Sequence, residues 1–199
     1  MVEEIEAIFL DVDIEGTRQK LESLGAVCAL PMQDMNRTLF DYPDRRLMRK
    51  QNSWIRIRDE GDHVSLTFKS LEEGNLHGAQ EIETTVSSYE DTVAIFEAMG
   101  MFKFSVQETK RETWKLGDCQ IMIDQWPWID PYIEIEGPSE AAIRKVAEDM
   151  GKKWETAVFG SVASVYRMKY PDILPEEKIS SIAEVRFDVP PPDWFTKNS

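Results

Sequence analysis

Acidic residues recur in pairs spaced by two. Glu4 and Glu6 stand in an EIE near the start, Glu81 and Glu83 in a second EIE, Glu134 and Glu136 in a third, and Asp124 closes IMID. Clustered carboxylates are hard oxygen donors, the ligand type that magnesium and manganese prefer. Basic residues are spaced in the same way: Arg56 and Arg58 in WIRIRD, Lys69 in LTFKS, and Arg167 with Lys169 in SVYRMKY. Arg111 stands in KRETW and Arg37 in NRTLFD. Guanidinium groups grip phosphate oxygens through paired N–H donors. Brought to one place, the two sets would hold metal ions and a polyphosphate.

A spacing of two belongs to β-strands, whose side chains alternate between faces. Glu4 and Glu6 share one face of the first strand, and Ile5, Ala7 and Phe9 share the other. Arg56 and Arg58 stand together against Ile55 and Ile57, and Thr67 and Lys69 against Leu66 and Phe68. An antiparallel sheet with one solvated face produces the same alternation. Segregation of sign points elsewhere: acids fill some strands and arginines another, whereas idle surfaces mix the two. Many strands with few covering helices suit a closed or nearly closed barrel. Charges lining such a barrel would need partners, since an unpaired buried charge costs several kcal/mol. Metals and a triphosphate in a polar tunnel would satisfy acids and arginines at once.

The elements that must position these groups follow from pattern and turn chemistry. Strand signals fall near 3–10, 36–42, 53–59, 63–70, 80–87, 104–116, 119–126, 131–137 and 162–170, with turns such as DEGD and LGD between them. Helices are expected near 13–24, 89–99 and 140–150, after Asp13, Ser88 and Ser139 and before Gly25, Gly100 and Gly151. The last places Ile143, Val146, Ala147 and Met150 on one face. From Pro171 the character changes, and Pro190, Pro191 and Pro192 can join neither a ladder nor a helix interior. The reading is therefore one domain over 1–170 with an extension, 171–199, that either wraps the domain or is partly disordered.

Composition bounds the function. The chain has 199 residues, is 42% hydrophobic, and carries a formal charge of -14, which disfavours nucleic acid and anionic membranes as general partners. No apolar run approaches the ~20 residues that span a bilayer, and the acidic MVEEIEAIFL lacks a basic leader, so a cytoplasmic protein is expected. Cys28 and Cys119 lie far apart and read as reduced thiols with packing roles. His63 and His77 fall in or beside polar turns and read as exposed loop residues. Trp54, Trp114, Trp126 and Trp128 read as core or rim packing, with stacking on a base or thiazole as the alternative.

The ordered series EIEA, FDYPD, WIRIRDEG, LTFKS, EIETTV, KRETW, IMID and YIEIEG resembles the CYTH family, the triphosphate tunnel metalloenzymes, over roughly residues 2–170. The resemblance implies an α+β, mainly antiparallel fold: an eight-stranded closed or nearly closed barrel, the triphosphate tunnel, with helices packed outside. It implies Glu4, Glu6, Asp124, Glu134 and Glu136 as ligands for one or two Mg2+ or Mn2+ ions, with catalysis by Glu4, Glu6 and Glu81, Glu83 being the alternative to Glu81. Arg56, Arg58, Lys69 and Arg111 match the residues that grip the triphosphate, Lys169 one on the last strand, and Arg37 one near the tunnel mouth. One departure stands out: where the family's ExExK motif ends in lysine, this chain has Ile8.

Three activities follow from the resemblance. The first is metal-dependent hydrolysis of a small-molecule triphosphate, whether inorganic tripolyphosphate, thiamine triphosphate or a nucleoside triphosphate. The second is cyclisation of ATP to cyclic AMP and pyrophosphate, as in class IV adenylate cyclases. The third, prompted by Ile8, is a polyphosphate or nucleotide binder without turnover. A homodimer is left open.

Overall fold

A computed structural model gives the fold and describes residues 2–71, 79–173 and 179–195, without the side chains of residues 2–4, 51, 71, 79 and 180. His77 and the Glu4 carboxylate thus lie outside the described residues.

The N-terminal strand is broken at Ile5 into β1 (Val2–Glu4) and β2 (Glu6–Phe9). Helix α1 (Ile14–Ser23) follows, its first turn capped by the Asp13 carboxylate, which accepts from the Gly16 N–H at 3.1 Å. A long strand β3 (Val27–Asp41) leads to α2 (Arg46–Gln51), then β4 (Ser53–Asp59), β5 (Val64–Leu71) and β6 (Ala79–Val86). Helix α3 (Tyr89–Ala98) precedes the meander β7 (Phe102–Leu116), β8 (Cys119–Gln125) and β9 (Tyr132–Glu136). Helices α4 (Glu140–Asp149) and α5 (Val162–Lys169) and a short strand β10 (Glu184–Val185) complete the chain.

The strand order is β1-β6-β5-β4-β3-β7-β8-β9-β2, with β10 added in parallel to β7. Both ends of this order are halves of one N-terminal strand: β1 pairs β6 and β2 pairs β9. Counting that strand once, the sheet has eight antiparallel strands curled into a nearly closed barrel, as expected from parity. The break at Ile5 lets one strand serve both edges.

Apolar faces point outward. Ala7, Phe9, Ile121, Ile123, Ile133 and Ile135, each 0% exposed, pack against Leu21 of α1 and Ile143, Val146 and Ala147 of α4. At about 25 cal/mol per Å² of apolar surface removed from water, this layer is what drives the curled sheet to form. A second cluster joins Ile8, Trp126, Tyr132, Val165 and Tyr166 to Ile173, Ile179, Val185 and Phe195 of the tail. The described part of the tail therefore packs onto the domain, and Phe195 sits among the rings of Trp128, Tyr166 and Tyr170.

The three expected helices are present, but two were not foreseen. Helix α2 is short and held by Asp41, whose carboxylate accepts from the Leu47 and Met48 N–H groups, each at 3.1 Å. Helix α5 replaces the strand expected over 162–170. Alternation in SVYRMKY reads as a strand, yet Val162, Val165, Tyr166 and Lys169 also carry helical spacing, and Ser161 caps Ala163 at 3.3 Å. Burial decides: adjacent Val165 and Tyr166 are both buried, which one face of a strand does not allow. Cys119 is buried as expected, but Cys28 is exposed and packs no core.

Candidate functional site

The inner faces enclose a cavity of about 460 Å³, in the range of small-molecule sites. Strand register places its charges in rows. Leu39, Arg56, Thr67 and Glu83 lie side by side across β3 to β6, as do Arg37, Arg58 and Ser65 across β3 to β5. Lys69 faces Glu81 across β5 and β6, and Glu6 faces Glu136 across β2 and β9. The tight turn before β5 needs Gly61, whose φ is +86° and whose missing Cβ makes room for the Gln33 side chain.

Arg37, Arg56 and Arg58 are 7%, 8% and 8% exposed, and the Nε of each has no hydrogen-bond partner among the described residues. Arg37 donates to Thr109 Oγ1 at 2.8 Å and lies over the Trp126 ring at 4.6 Å. Burial, then repulsion from Arg58, Arg56 and Arg111, drives its pKa well below the usual arginine range. Arg58 is pushed down to about 10 by burial and by Arg56 and Arg111, against the pull of Glu60. Arg56 donates to Thr67 at 3.2 Å and stands 3.7 Å from Glu81 and 3.5 Å from Glu83. Guanidiniums packed together in this way are the kind of arrangement that an anion would relieve.

Arg111 is held differently. Its Nε and Nη2 donate to the two Asp124 oxygens at 2.7 and 2.6 Å, and Nη2 also donates to Glu134 at 2.8 Å. Burial would lower its pKa, but Asp124 and Glu134 raise it well above the ordinary value. Asp124 is 1% exposed, spends both oxygens on Arg111 and does not border the cavity. Glu6, Glu134 and Glu136 do border it. Burial would raise the pKa of Glu134, yet Arg111, Lys69 and hydrogen bonding to Glu6 hold it below the ordinary carboxylate value.

The site residues named from sequence do not all meet. Glu6, Glu81, Glu134, Glu136, Arg37, Arg56, Arg58, Lys69 and Arg111 border one cavity. Arg37 is buried in the wall. Lys169 is a correction: because 162–170 is helical, its ammonium turns outward to Asp130 at 2.8 Å, and Arg167 borders the cavity in its place. Ile8 is 1% exposed within the apolar cluster beside Tyr166 and Trp126, so the position holds no ammonium and faces hydrocarbon.

Two residues were missed. Glu60 is 8% exposed and bonded to Arg58 at 2.8 Å and Ser65 at 2.7 Å. Burial opposes its ionisation, but Arg58, Ser65 and Arg56 keep its pKa below the ordinary value. His63 is the exposed loop residue that was expected, but it also borders the cavity. Its bond to Asp62 at 2.7 Å raises its pKa. The alternation in RIRDE was the signal for Glu60, since it continues the parity of Arg56 and Arg58. Trp54 and Trp126 border the cavity, whereas Trp114 and Trp128 pack elsewhere.

A barrel whose charged face is its inner face defines a class, and family comparison agrees with it. The CYTH domain profile matches residues 33–161, and the chain belongs to the CYTH family. No curated protein matches the sequence significantly. A solved protein of Pyrococcus horikoshii is similar at 22% identity and a TM-score of 0.64, over 77% of this chain and 93% of that one. A Vibrio parahaemolyticus protein designated an adenylate cyclase candidate aligns at 11% identity and a TM-score of 0.67, over 78% and 92%. A Hippeastrum protein, described as an adenylyl cyclase candidate with a dominant triphosphatase activity, aligns at 15% identity and a TM-score of 0.55, over 89% and 100%. At these identities the solved structures share the fold. Among the described residues no helix is long and apolar enough to cross a membrane.

Proposed function

We propose that the protein is a divalent-metal-dependent phosphohydrolase acting on a triphosphate held in the barrel. The observation that carries this reading is the arginine group Arg37, Arg56 and Arg58, buried together with unpartnered Nε atoms. A polyanion relieves their mutual repulsion, and paired N–H donors suit phosphate oxygens. The family's action on small triphosphates gives that anion a chemical class.

The acids fit a divalent ion by donor chemistry. Glu6 and Glu134 lie within hydrogen-bonding reach of each other, and neighbouring carboxylates are the hard oxygen donors that a divalent cation prefers. Among the described residues no tight three-ligand cluster is preformed, so the ion and its phosphate ligand would complete the site together. Glu6, Glu134 and Glu136 would hold it, with Glu4 as the remaining donor. When bound, magnesium or manganese supplies Lewis acidity toward phosphate oxygens and water. Arg37, Arg56, Arg58 and Lys69 bind and orient the phosphates. Glu81 holds Lys69 and Arg56 in place, and Asp124 holds Arg111.

Cyclisation of ATP is the second reading, favoured by Trp54, Met48 and Leu39 along the cavity, where a base would find apolar contact. The third, binding without turnover, draws on Ile8 at the place of the motif lysine. One experiment separates them. The protein is incubated with magnesium or manganese and, in turn, tripolyphosphate, thiamine triphosphate and ATP, and the products are resolved. Orthophosphate supports hydrolysis, pyrophosphate with cyclic AMP supports cyclisation, and a thermal shift without products leaves the binder.

A further inference from the structure

The segment misread as a strand contributes to the cavity in another way. Ser161, Val162 and Ala163, the start of α5, border the cavity, and so does Arg167. The opening N–H groups of a helix lack the usual acceptor and carry a partial positive charge. In α5 those of Ala163 and Ser164 bond to the Ser161 Oγ and carbonyl at 3.3 and 2.8 Å, so among the described residues the N–H of Val162 is the donor left for a ligand. The rest of the helix is fixed firmly. Tyr166 Oη donates to the Pro127 carbonyl at 2.7 Å, and Tyr170 Oη to the Trp128 carbonyl at 2.6 Å. Lys169 is tied to Asp130, and Val165 and Tyr166 are 4% and 0% exposed.

Arg37 supplies the independent sign of a ligand. It is 7% exposed, borders the same cavity, and its Nε has no hydrogen-bond partner among the described residues. Its guanidinium lies over Trp126, and Trp126 packs edge-on against Tyr166 with ring centroids 6.5 Å apart. One indole therefore ties the anion-seeking arginine to the helix whose positive end opens on the cavity.

We propose that the first turn of α5, together with Arg37 and Arg167, forms an anion subsite for the terminal phosphoryl group of the bound triphosphate. This rests on the triphosphate reading above and adds to it a helix from outside the barrel. A rigid helix N-terminus gives a fixed donor that needs no reorganisation, as at other phosphate-binding helix ends. It also assigns specificity: the subsite distinguishes three phosphoryl groups from two.

The test is calorimetric titration of tripolyphosphate and of pyrophosphate, with magnesium, into the full chain and four variants. Arg167→Gln removes the charge. Val162→Pro removes the N–H at the first helical position, which tolerates proline, and Ser161 before it already has the extended backbone that proline requires (φ -93°, ψ 174°). Lys169→Gln is the outward-facing control, and Arg56→Ala reports on the rest of the site. Loss of one charge-assisted contact should weaken tripolyphosphate binding about tenfold in Arg167→Gln, and a few-fold in Val162→Pro. Both should bind pyrophosphate as the wild type does, and Lys169→Gln should bind both ligands normally. Circular dichroism and unfolding midpoints confirm that each variant is folded, and either of the two subsite variants alone decides. If they bind tripolyphosphate at wild-type strength while Arg56→Ala does not, the subsite is overturned and the triphosphate reading stands. If the wild type binds neither ligand, the reading itself fails and the subsite with it.

Discussion

Arg37 and Arg58 stand directly opposite each other on β3 and β4, both buried and each with an Nε that has no partner among the described residues. Two like charges facing across a ladder destabilise the empty barrel, and nearby Arg56 adds to the repulsion. Such strain persists where a ligand relieves it.

Replacing Arg37 should therefore separate stability from binding. Arg37→Met keeps an apolar stem but gives up the guanidinium that lies over Trp126, and it removes a buried charge without a carboxylate partner. The ligand-free unfolding midpoint should hold or rise, while tripolyphosphate affinity falls at least tenfold, about 1.5–3 kcal/mol for a charge-assisted bond. A lower midpoint with unchanged affinity would show that Arg37 is a structural residue only.

The carboxylates are tested by metal. Glu134→Gln and Glu136→Gln should abolish turnover and the rise in unfolding temperature that magnesium gives the wild-type protein. Chelation of the metal should stop the wild-type reaction and its replacement restore it. Wild-type rates in either variant would reject the metal assignment.

Asp124 and Arg111 form a buried pair whose disruption is expected to be severe. Asp124→Asn should lower stability by about 3 kcal/mol, because Arg111 loses one of its two carboxylate partners. Urea unfolding of Asp124→Asn, Arg111→Gln and the double variant gives the coupling energy. Additive losses would mean that the pair is not acting as a unit.

Glu60 predicts a pH dependence. Its pKa is lower folded than unfolded, so its contribution is fully present above the ordinary carboxylate value and is lost as pH falls through the folded value. Glu60→Gln should be less stable than wild type at pH 7, by about 1–3 kcal/mol, and the gap should close on acidification. Melting curves from pH 7 to pH 3 check this; a constant gap would sink it.

Ile8→Lys would restore the family's motif residue, yet the position lies inside the apolar cluster with Tyr166 and Trp126. The variant should lose several kcal/mol of stability with no gain in rate. Faster turnover at an unchanged melting temperature would instead show that this position opens on the phosphates.

Alternation was legible because a strand has a fixed period of two. EIE, RIR and their partners could be assigned to shared faces from letters alone, and with them the barrel and most of its inner charges. Helix starts were legible at Asp13, Ser88 and Ser139, where capping is a local hydrogen bond. Residues 162–170 were not, since valines, tyrosines and basic residues there satisfy both periods. Packing against Trp126 and Tyr132 settled the matter in favour of the helix.

What the sequence alone determined is which side chains share a face, because that follows from backbone geometry over a few residues. Only the tertiary structure decided which charges meet. It gave Asp124 to Arg111, left Arg37 without a carboxylate, turned Lys169 out to Asp130 and brought Arg167 to the cavity. Those outcomes depend on strand order, on register and on how one helix docks, and these are fixed by contacts between residues far apart in the chain.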